Sequence, residues 1–546
     1  MQLHDLLLNS AAEHPEAPLV WDCGQWHSYA DVLSAARRLA RFLTLDCALP
    51  RGSRVALYWA NGPEAVAASF GVWMAGCVLV ALNTELRGDA LAYHIEHSDA
   101  AVVIAGQGQM PYLSAIADKL GEVVAIVRPD GAASADSSGD DSGRGGAGAG
   151  SDANAPGGAA AAELLASSSA RLYSWDEVVG GGPELTAPVR TIDVDLASIV
   201  YTSGSTGEPK GVMLSHLNLV SNMRSIATYL ELSSGDRIMM ILPHFYIYGL
   251  SLVLTHVLVG GSIVIDNRFM YPNTVLDTMV ATNVTGFAGV PSTFSILLAG
   301  SRIRDMQFPA LRYLTQAGGA MPPTVQQDVA AAFAPARLYI MYGATEAAPR
   351  LSYLDPDDLP RKWGSIGKPV PNVDLFVADE EGVPVAPGTE GELVARGSNI
   401  TSGYWKAPDA TAEVLRDGLY FTGDLGVEDE ERFLFVTGRA KEMIKVKGFR
   451  VSPRQIEDQL VQLPGVAEAA VVGISDRFLG ETPVAFIVPA DGSAPQEHEL
   501  RAALAARLPA YMIPTRIFRV DELPRSAAGK VQKLELTARA REALND

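Results

Sequence analysis

At 546 residues, the chain is long enough to form more than one domain, each with a sizeable hydrophobic core. Its hydrophobic fraction of 48% is ordinary for a soluble globular protein, and its formal net charge is −20, from 43 basic and 63 acidic side chains. This acidic balance argues against nonspecific binding to nucleic acid or to an anionic membrane, although a few local cations suffice to hold an anionic ligand.

The cysteines and the N-terminus favour a cytoplasmic protein. Cys23, Cys47 and Cys77 have no metal-binding spacing, so we expect three small, buried apolar side chains in a reducing compartment. The first ten residues have no basic segment, so no signal peptide is predicted. Two uncharged stretches, 65–82 and 245–265, are long enough to span a bilayer, but glycines interrupt both. We predict a buried helix followed by a strand in each, and no stable membrane insertion.

The first half of the chain alternates predicted helices and strands. Ser28 is a candidate N-cap for a helix over 28–43. Short apolar, β-branched runs predict strands at 54–58, 78–82, 101–105, 123–127, 197–201, 238–242 and 262–265, with further helices at 64–76 and 249–259. This alternation is typical of doubly wound parallel sheets in an α/β fold.

Segment 131–169 interrupts the series. It is mostly Gly, Ala, Ser and Asp without an aromatic residue, so we interpret it as a flexible surface insertion, with a partner-binding loop as the alternative. Turns and short strands over 370–400 and 418–440 predict a β-rich, antiparallel subdomain. The pattern then changes to a small α+β unit, so domains are predicted at 1–440 and 441–546. In the second domain we predict helices at 457–463 and 497–508 and strands at 469–472 and 482–488.

The stretch 201–216 is the most informative in the chain, because it combines hydroxyls, glycines and one lysine, Lys210. Glycines let backbone N–H groups approach a phosphate closely, and the hydroxyls add donors. The usual P-loop has Gly-Lys-Ser/Thr, whereas Pro209 precedes the lysine here. We therefore predict a polyphosphate loop of another kind, and the alternative is a plain surface loop. Its candidate ligands are Thr202, Ser203, Gly204, Ser205, Thr206, Gly207 and Lys210.

A second stretch, 339–346, offers the parts of a nucleotide site. A turn at Gly343 follows an apolar strand and presents the ring of Tyr342, the hydroxyl of Thr345 and the carboxylate of Glu346. An aromatic face suits a base, a hydroxyl suits a phosphate and a carboxylate suits Mg²⁺. The alternative is a strand end followed by a helix-capping Thr/Glu pair.

Three later stretches are weaker when taken singly. Asp424 follows a glycine, where a carboxylate suits a ribose diol, but a hairpin-turn aspartate is the commoner case. Segment 437–450 holds five cations in fourteen residues, and a solvated surface is the alternative. Lys530 follows a glycine on a small-residue loop near the C-terminus.

Together, and in this order, these five stretches resemble the acyl-adenylating superfamily: acyl-CoA synthetases, peptide-synthetase adenylation domains and firefly-luciferase-type enzymes. The resemblance extends over 6–533. It implies an α/β fold with a large N-terminal domain of doubly wound sheets plus a β-rich subdomain, and a small mobile α+β C-terminal domain. It also implies two half-reactions: a carboxylate attacks the α-phosphate of ATP to give acyl-AMP and pyrophosphate, and a thiol then displaces AMP.

The resemblance also assigns roles by position. The loop over 202–210 would wrap the β- and γ-phosphates. Glu346 would hold Mg²⁺, Thr345 the α-phosphate, and Tyr342 would stack on adenine. Lys530 would bridge the α-phosphate and the attacking carboxylate, where a cation stabilises the charge that develops. The remaining implied ATP-binding residues are Gly319, Gly343, Asp424 and Arg439, the last two on the ribose; Lys441 would be the hinge, and Gly448 and Phe449 would lie on the thiol side.

The segment 242–250 matches the family's acid-pocket motif with one departure. Many members have histidine where this chain has Tyr246, so a histidine-specific role is lost. No aspartate is present to pair with a substrate ammonium, which disfavours an amino acid. Small and apolar pocket residues favour a hydrophobic acid, medium- or long-chain fatty in preference to aryl, unless the small residues serve backbone packing. The implied acyl pocket comprises Tyr246, Tyr248, Gly249, Val290 and Gly318.

The resemblance makes coenzyme A the favoured thiol acceptor. The alternatives are an acyl-AMP ligase that loads the phosphopantetheine of an acyl carrier protein, an aryl-acid CoA ligase, and a luciferase-like oxygenase. A nonenzymatic sensor on the same fold is disfavoured because the residues of the phosphate, metal and lysine positions are all present.

Overall fold

The computed structural model describes residues 1–129, 170–202, 209–446, 449–476, 480–490, 495–525 and 529–545. The predicted insertion at 131–169 lies outside these ranges. The chain divides into two compact units. The first comprises Met1–Ala288, Thr345–Pro349 and Ser398–Thr411, and the second comprises Gly289–Ala344, Arg350–Gly397 and Ala412–Asp546.

The first unit is built on two largely parallel sheets. One has the strand order β7-β6-β5-β3-β4-β8-β9, in which only β9 runs antiparallel to its neighbour. These strands are β3 (Arg54–Tyr58), β4 (Val78–Ala81), β5 (Ala100–Ala105), β6 (Ala125–Arg128), β7 (Arg171–Ser174), β8 (Leu196–Thr202) and β9 (Lys210–Ser215). The other contains β1 (Pro18–Asp22), β2 (Gln25–Ser28), β10 (Arg237–Met240), β11 (Ser262–Ile265) and β12 (Gly286–Gly289), with the order β12-β10-β11-β1-β2.

Helices connect the parallel strands, as this topology requires. They are Leu3–Glu13, Tyr29–Arg41, Pro63–Met74, Gly88–His97, Met110–Ser114, Trp175–Val179, His216–Tyr229, Ile247–Leu258 and Pro272–Ala281. Short 3₁₀ turns occur at Gln107–Gln109, Ala117–Lys119 and Thr345–Ala347, and a π turn at Phe42–Asp46. The predicted cap at Ser28 is present, since its hydroxyl accepts from the backbone N–H of Asp31 and the Asp31 carboxylate accepts from the Ser28 N–H.

The two long uncharged stretches lie in the core of the first unit. Helix Pro63–Met74 is buried on all faces and leads into β4 through Gly76, whose φ is +66°. Helix Ile247–Leu258 is likewise buried and leads into β11 through Gly260, whose φ is +75°. The prediction of a buried helix and then a strand is confirmed for both. Among the described residues, no helix is both long and apolar enough to cross a membrane.

The second unit has a mixed sheet followed by an antiparallel one. Strands β13 (Tyr313–Gln316) and β14 (Arg337–Tyr342) are parallel, and β15 (Ser352–Leu354) and β16 (Lys368–Pro369) continue antiparallel. The predicted β-rich region contains β17 (Val373–Ala378), β18 (Gly391–Gly397), β19 (Leu415–Arg416), β20 (Leu419–Glu428) and β21 (Leu434–Arg439), all antiparallel to their neighbours. The helices here are Pro291–Gly300 and Pro323–Ala332, with 3₁₀ turns at Ile303–Asp305, Leu359–Arg361 and Ala440–Glu442; helix Pro408–Val414 contributes residues to both units.

The C-terminal part of the second unit is a small α+β layer structure. Its strands are β22 (Ile444–Val446), β23 (Phe449–Val451), β24 (Val466–Asp476), β25 (Gly480–Pro489) and β26 (Arg516–Arg519). Because side chains alternate along a strand, Val471 packs towards helices Pro453–Val461 and Glu497–Ala505, whereas Val472 packs towards helix Lys533–Asn545. A 3₁₀ turn lies at Ala510–Met512. The predicted fold class, mixed α/β with parallel sheets, is confirmed.

One expectation about the cysteines is wrong. Cys77 is buried, but Cys47 is half-buried and Cys23 is exposed. Cys23 and Gly24 form the tight turn between β1 and β2, where Cys23 adopts a positive φ of 47°. A two-residue hairpin turn places its side chains outside the sheet, so this thiol is not packed.

Two glycines of the second unit allow the cost of backbone strain to be distinguished from the cost of a steric clash when either is replaced by alanine. Both have positive φ, +78° at Gly367 and +82° at Gly388, so an alanine at either costs about 1–2 kcal/mol. A Cβ at Gly367 would lie 1.8 Å from the carbonyl oxygen of Tyr353, whereas a Cβ at Gly388 would meet nothing within 4 Å. Gly367→Ala should therefore lower the thermal unfolding midpoint clearly more than Gly388→Ala. Equal shifts of the unfolding midpoint, measured by scanning calorimetry, would show that β15 can move away from the added Cβ without loss of stability.

Candidate active site

In the first unit, the hydroxyl- and glycine-rich stretch is the connection of a β-hairpin. Thr202 ends β8 and pairs directly with Lys210, which begins β9. The Thr202 hydroxyl also lies 3.5 Å from the Lys210 carbonyl oxygen. The structure thus places Lys210 in a strand at the base of the connection and not within the loop. The other five predicted phosphate ligands, Ser203, Gly204, Ser205, Thr206 and Gly207, lie outside the described residues.

Tyr404 links Lys210 to Glu346. The Lys210 ammonium lies 5.2 Å from the centre of the Tyr404 ring, within the range of a cation–π contact. The Tyr404 hydroxyl donates to Glu346 Oε1 at 2.7 Å. The Glu346 carbonyl in turn accepts from the Thr401 N–H at 2.8 Å. Two predicted ligands of opposite charge, a cation and a carboxylate, are therefore held by one aromatic side chain.

Sequence reasoning missed Tyr404, although a local signal was present. Its backbone is fixed by Gly403, whose φ is +128° and where a Cβ would lie 2.4 Å from a Thr411 methyl carbon. The Tyr404 N–H donates to the Thr411 hydroxyl at 2.9 Å. A glycine followed by the aromatic pair Tyr404 and Trp405 in a loop is the pattern that could have identified it.

In the second unit, Asp424 joins Tyr342 and Arg439. Tyr342 ends β14 and donates its hydroxyl to Asp424 Oδ2 at 2.6 Å. Arg439 ends β21, faces Asp424 across the β20–β21 ladder and brings Nε to 2.8 Å from Oδ1. The structure thus brings together three of the predicted ATP-binding residues. The predicted glycine turn before Asp424 is a bulge within β20, where Gly423 has a φ of +75°.

Burial and the charge of Asp424 determine the protonation states of Tyr342 and Arg439. Burial, reinforced by the Asp424 charge, raises the pKa of Tyr342 well above its usual value, so the phenol stays protonated and donates. The same carboxylate raises the pKa of Arg439. A carboxylate offers about four lone-pair sites and two are used here, so acceptor capacity remains for a ligand hydroxyl.

Thr345 and Gly343 follow Tyr342 in the chain. Thr345 begins the 3₁₀ turn that carries Glu346, and its carbonyl accepts from the Ala348 N–H. Gly343 is exposed at the end of β14.

The predicted acid-pocket residues of the second unit, Val290 and Gly318, lie together with Gly529, the residue directly before Lys530. Gly318 has a φ of +87°, and a Cβ there would lie 3.1 Å from Val290 Cγ1. A Cβ at Gly529 would lie 3.1 Å from Val290 Cγ2 and 2.9 Å from Ser292 Oγ. Val290 therefore lies between a pocket glycine and the residue directly before Lys530. Gly319 is held by the Gln316 amide, which donates to its carbonyl at 2.8 Å.

Arg525 closes the Lys530 loop, another contact that sequence reasoning missed. Its guanidinium donates to the Gly529 carbonyl at 2.8 Å and to Glu468 Oε2 at 2.7 Å. The Gln532 N–H donates to the Pro524 carbonyl at 2.8 Å, which completes the base of the loop. Lys530 itself is exposed.

The predicted hinge and thiol-side residues lie further along the second unit. Lys441 is exposed in the turn Ala440–Glu442, with its ammonium 3.8 Å from Glu413. Phe449 begins β23 and stacks on Tyr511 with ring centres 4.4 Å apart, yet remains 53% exposed. Gly448 lies outside the described residues.

The acid-pocket segment of the first unit begins the helix Ile247–Leu258. Tyr246 is its N-cap and packs on Phe245, with ring centres 4.6 Å apart. Tyr248 is buried in the first turn. Gly249 is required there, because a Cβ would lie 2.1 Å from the Pro243 carbonyl oxygen.

His244, in the same segment, is buried as a neutral imidazole. The Asn61 amide donates to the Leu242 carbonyl, so its oxygen must accept, and it lies 2.8 Å from the His244 N–H and 3.2 Å from Nδ1. The proton is therefore on Nδ1. Nε2 has no hydrogen-bond partner in the described part of the chain. Burial lowers the pKa of His244 to about 4.

This lowered pKa predicts a loss of stability in acid. An unfolded histidine has a pKa of about 6.5, so between pH 6.5 and pH 4 the unfolded chain binds more protons than the folded one. Stability then falls as the pH is lowered through this window. His244→Gln should flatten the decline of the thermal midpoint with pH, whereas the exposed control His498→Gln should not. Parallel profiles for both variants and the unaltered protein would contradict the buried-imidazole assignment.

Comparisons with known proteins identify the family. The model of the AMP-binding enzyme family matches residues 7–405, and that of its C-terminal domain matches 455–530. A feruloyl-CoA synthase of Amycolatopsis sp is 34% identical, with 96% of both chains covered. A long-chain-fatty-acid–CoA ligase of Escherichia coli O157:H7 is 32% identical, covering 99% of this chain and 94% of the other.

A solved structure agrees with this assignment. The crystal structure of ATP-bound MatB from Rhodopseudomonas palustris superposes with a TM-score of 0.83 at 27% identity, and each chain is covered completely. The family predicted from the five sequence stretches is confirmed, as is the class of enzyme, an AMP-forming acid–thiol ligase. The chain belongs to the AMP-binding enzyme family, with a large N-terminal and a small C-terminal domain.

Proposed function

We propose that the protein activates a hydrophobic carboxylic acid with ATP and transfers the acyl group to coenzyme A. In the first step, a carboxylate oxygen bonds to the α-phosphorus and pyrophosphate leaves, which gives acyl-AMP. In the second, the thiolate of coenzyme A attacks the acyl carbonyl and AMP leaves. The observation that carries the proposal is the position of Gly529, directly before Lys530, which lies against Val290 of the candidate acid pocket.

Lys530 acts on the α-phosphorus and the attacking carboxylate. Negative charge builds on the phosphate oxygens as the new bond forms, and a nearby ammonium stabilises that charge more than it stabilises the ground state. Arg525 fixes the carbonyl of Gly529, directly before Lys530, so the backbone that presents the lysine is held in place. This preorganisation reduces the entropy that must be lost when ATP and acid bind.

Glu346 is the residue proposed to hold Mg²⁺. Within the described residues, no three His, Cys, Asp or Glu side chains converge on a metal site, so a cage made by the protein is not found there. A single carboxylate that Tyr404 links to Lys210 fits Mg²⁺, because this ion keeps several waters and binds through one or two carboxylates and the substrate phosphates. The bound ion would neutralise phosphate charge. Tyr404 orients the carboxylate through its hydrogen bond to Oε1.

The nucleotide is recognised by Tyr342, Asp424 and Arg439. We assign the adenine to the ring of Tyr342, which its hydrogen bond to Asp424 holds in place. The ribose hydroxyls are assigned to Asp424 and Arg439. Thr345, with the glycines Gly319 and Gly343, is assigned to the α-phosphate side. Thr202 and Lys210 position the pyrophosphate end from the base of the hairpin.

A medium- or long-chain fatty acid is the proposed substrate, and an aryl acid is the second candidate. The long-chain-fatty-acid–CoA ligase relatives support the first. The relatives named feruloyl-CoA synthase and indoleacetate–CoA ligase support the second. In either case Tyr246, Tyr248, Gly249, Val290 and Gly318 would form the acyl pocket. Phosphopantetheine on an acyl carrier protein is the alternative acceptor.

A panel of acids separates these candidates. AMP release should be fastest with medium- and long-chain fatty acids and should depend on coenzyme A more than on a carrier protein. Aryl acids turned over faster would establish the second candidate, and light emission or oxygen uptake would indicate an oxygenase.

Lys530→Ala should lower acid-dependent ATP–pyrophosphate exchange by at least about a hundredfold, as expected for an electrostatic stabiliser. Unchanged exchange would remove Lys530 from the chemistry.

Tyr404→Phe tests the link between Lys210 and Glu346. The ring under Lys210 remains but the donor to Glu346 is lost, and a hydrogen bond to a charged group contributes about 1.5–3 kcal/mol. We expect roughly a tenfold or greater rise in the Mg²⁺ concentration needed for half-maximal exchange. Tyr112→Phe is the control, because its ring also carries a cation, the Arg87 guanidinium at 3.3 Å. An equal change in both variants would contradict the assigned role.

A further inference from the structure

Two ion pairs leave only two residues between them at the proposed hinge. Arg439 is held on the preceding side by Asp424 at 2.8 Å. Glu442 is held on the following side by Lys533 at 2.8 Å, and the same ammonium lies 3.0 Å from Glu457. Residues up to Arg439 therefore belong to β21, and residues from Glu442 onwards belong to the C-terminal layer structure. A rotation between the two would be confined to Ala440 and Lys441.

Two hydrogen bonds cross this pivot. The Arg454 guanidinium donates from Nη1 to the Val436 carbonyl at 2.8 Å. The buried Ser452 hydroxyl donates to the Thr437 carbonyl at 2.6 Å. Both donors lie at the start of helix Pro453–Val461, after the pivot, whereas both acceptors lie on β21, before it.

A glycine in β21, Gly438, allows the Ser452 hydroxyl to approach the strand closely. A Cβ on Gly438 would lie 2.7 Å from Ser452 Oγ, so a side chain at this position would push the hydroxyl away from the strand. Arg454 is also held 3.7 Å from Asp458, one helical turn further on, which orients the guanidinium along the helix. A large rotation about Ala440 and Lys441 would move the two donors away from β21 and break both bonds.

The orientation in which these bonds form is the one that suits the first half-reaction. Gly529, directly before Lys530, lies against Val290 and Ser292 of the candidate acid pocket. The residue that directly precedes Lys530 is thus beside the pocket while Ser452 and Arg454 are bonded to β21. In thiol transfer the attacked atom is the acyl carbonyl carbon and not the α-phosphorus, so the second half-reaction has no attacking carboxylate for Lys530 to orient.

We propose that Ser452 and Arg454 are positioning residues that hold the C-terminal domain in the orientation that forms acyl-AMP, and that they release Val436 and Thr437 before the thiol attacks. The inference rests on the proposed two-step function. Ser452 and Arg454 thereby shift the equilibrium between the two orientations of the C-terminal domain towards the one that forms acyl-AMP. Weakening them lowers the population that forms acyl-AMP and leaves the other population intact.

The test measures the two half-reactions separately in Arg454→Met and Ser452→Ala. Acid-dependent ATP–pyrophosphate exchange reports the first step, and thioester formation from supplied acyl-AMP and coenzyme A reports the second. A neutral hydrogen bond contributes about 1 kcal/mol and one to a charged group about twice that, so exchange should fall roughly five- to thirtyfold. Thioester formation should be unchanged or faster. A parallel loss in both assays, or no loss in either, would overturn the proposal.

Controls separate this inference from folding defects and from the function itself. Arg539→Met removes an arginine of the same domain whose ion pair, with Glu535, lies within its own helix, and should change neither assay. Arg454→Lys keeps a donor and should recover part of the exchange. Tryptic cleavage after Lys441 provides a readout that does not depend on activity. It should be faster in Arg454→Met than in Arg539→Met. Equal cleavage of the two variants would count against the proposal. An absence of exchange in the unaltered protein would instead refute the proposed function.

Discussion

The carboxylate of Asp424 is the group on which the candidate site of the second unit depends. It is 7% exposed and receives a hydroxyl at one oxygen and a guanidinium at the other. A buried carboxylate is costly unless it is paired and hydrogen-bonded, and here both conditions are met by residues at the ends of β14 and β21. Its position therefore fixes Tyr342 and Arg439, and Arg439 in turn fixes where β21 ends.

That end point connects the proposed nucleotide site with the proposed hinge. Because Arg439 is paired, the turn that follows it starts from a rigid strand. Glu442, three residues after Arg439, is bound to Lys533, which itself lies three residues after Lys530. The ion pairs Asp424–Arg439 and Glu442–Lys533 therefore flank the proposed hinge, and the second pair holds a residue close in sequence to Lys530. In the first unit, Tyr404 has a comparable part, since it holds a cation and a carboxylate through one ring.

Sequence reasoning was strongest where one local signal sufficed. The strands at Arg54–Tyr58 and Ser262–Ile265 coincide with apolar, β-branched runs, and the helix Tyr29–Arg41 begins at its predicted cap. The family followed from five short stretches read together. Sequence reasoning failed where a local signal was absent. Nothing in the sequence around Cys23 marks the tight turn in which it lies, and the turn is evident only from the positive φ of Cys23 in the structure.

The contacts that organise the site were beyond prediction for a related reason. Tyr404 binds a residue 58 positions away, and Arg525 binds one 57 positions away. Arg454 and Ser452 donate to backbone carbonyls, which every residue possesses, so no side chain in β21 marks them as acceptors. Lys210 was expected in a loop because the neighbouring glycines suggested one, yet it begins a strand through its pairing with Thr202.

Val290 would impose a compromise on any redesign of the proposed acyl pocket. One of its methyl groups faces Gly318 and the other faces Gly529. A bulkier residue at this position would shorten the space for an acyl chain and, by the same displacement, push back the segment that presents Lys530. A smaller one would lengthen the pocket but withdraw support from that segment. Under the proposed function, chain-length selectivity and the rate of activation would therefore be coupled through a single side chain, and selection for one would act on the other.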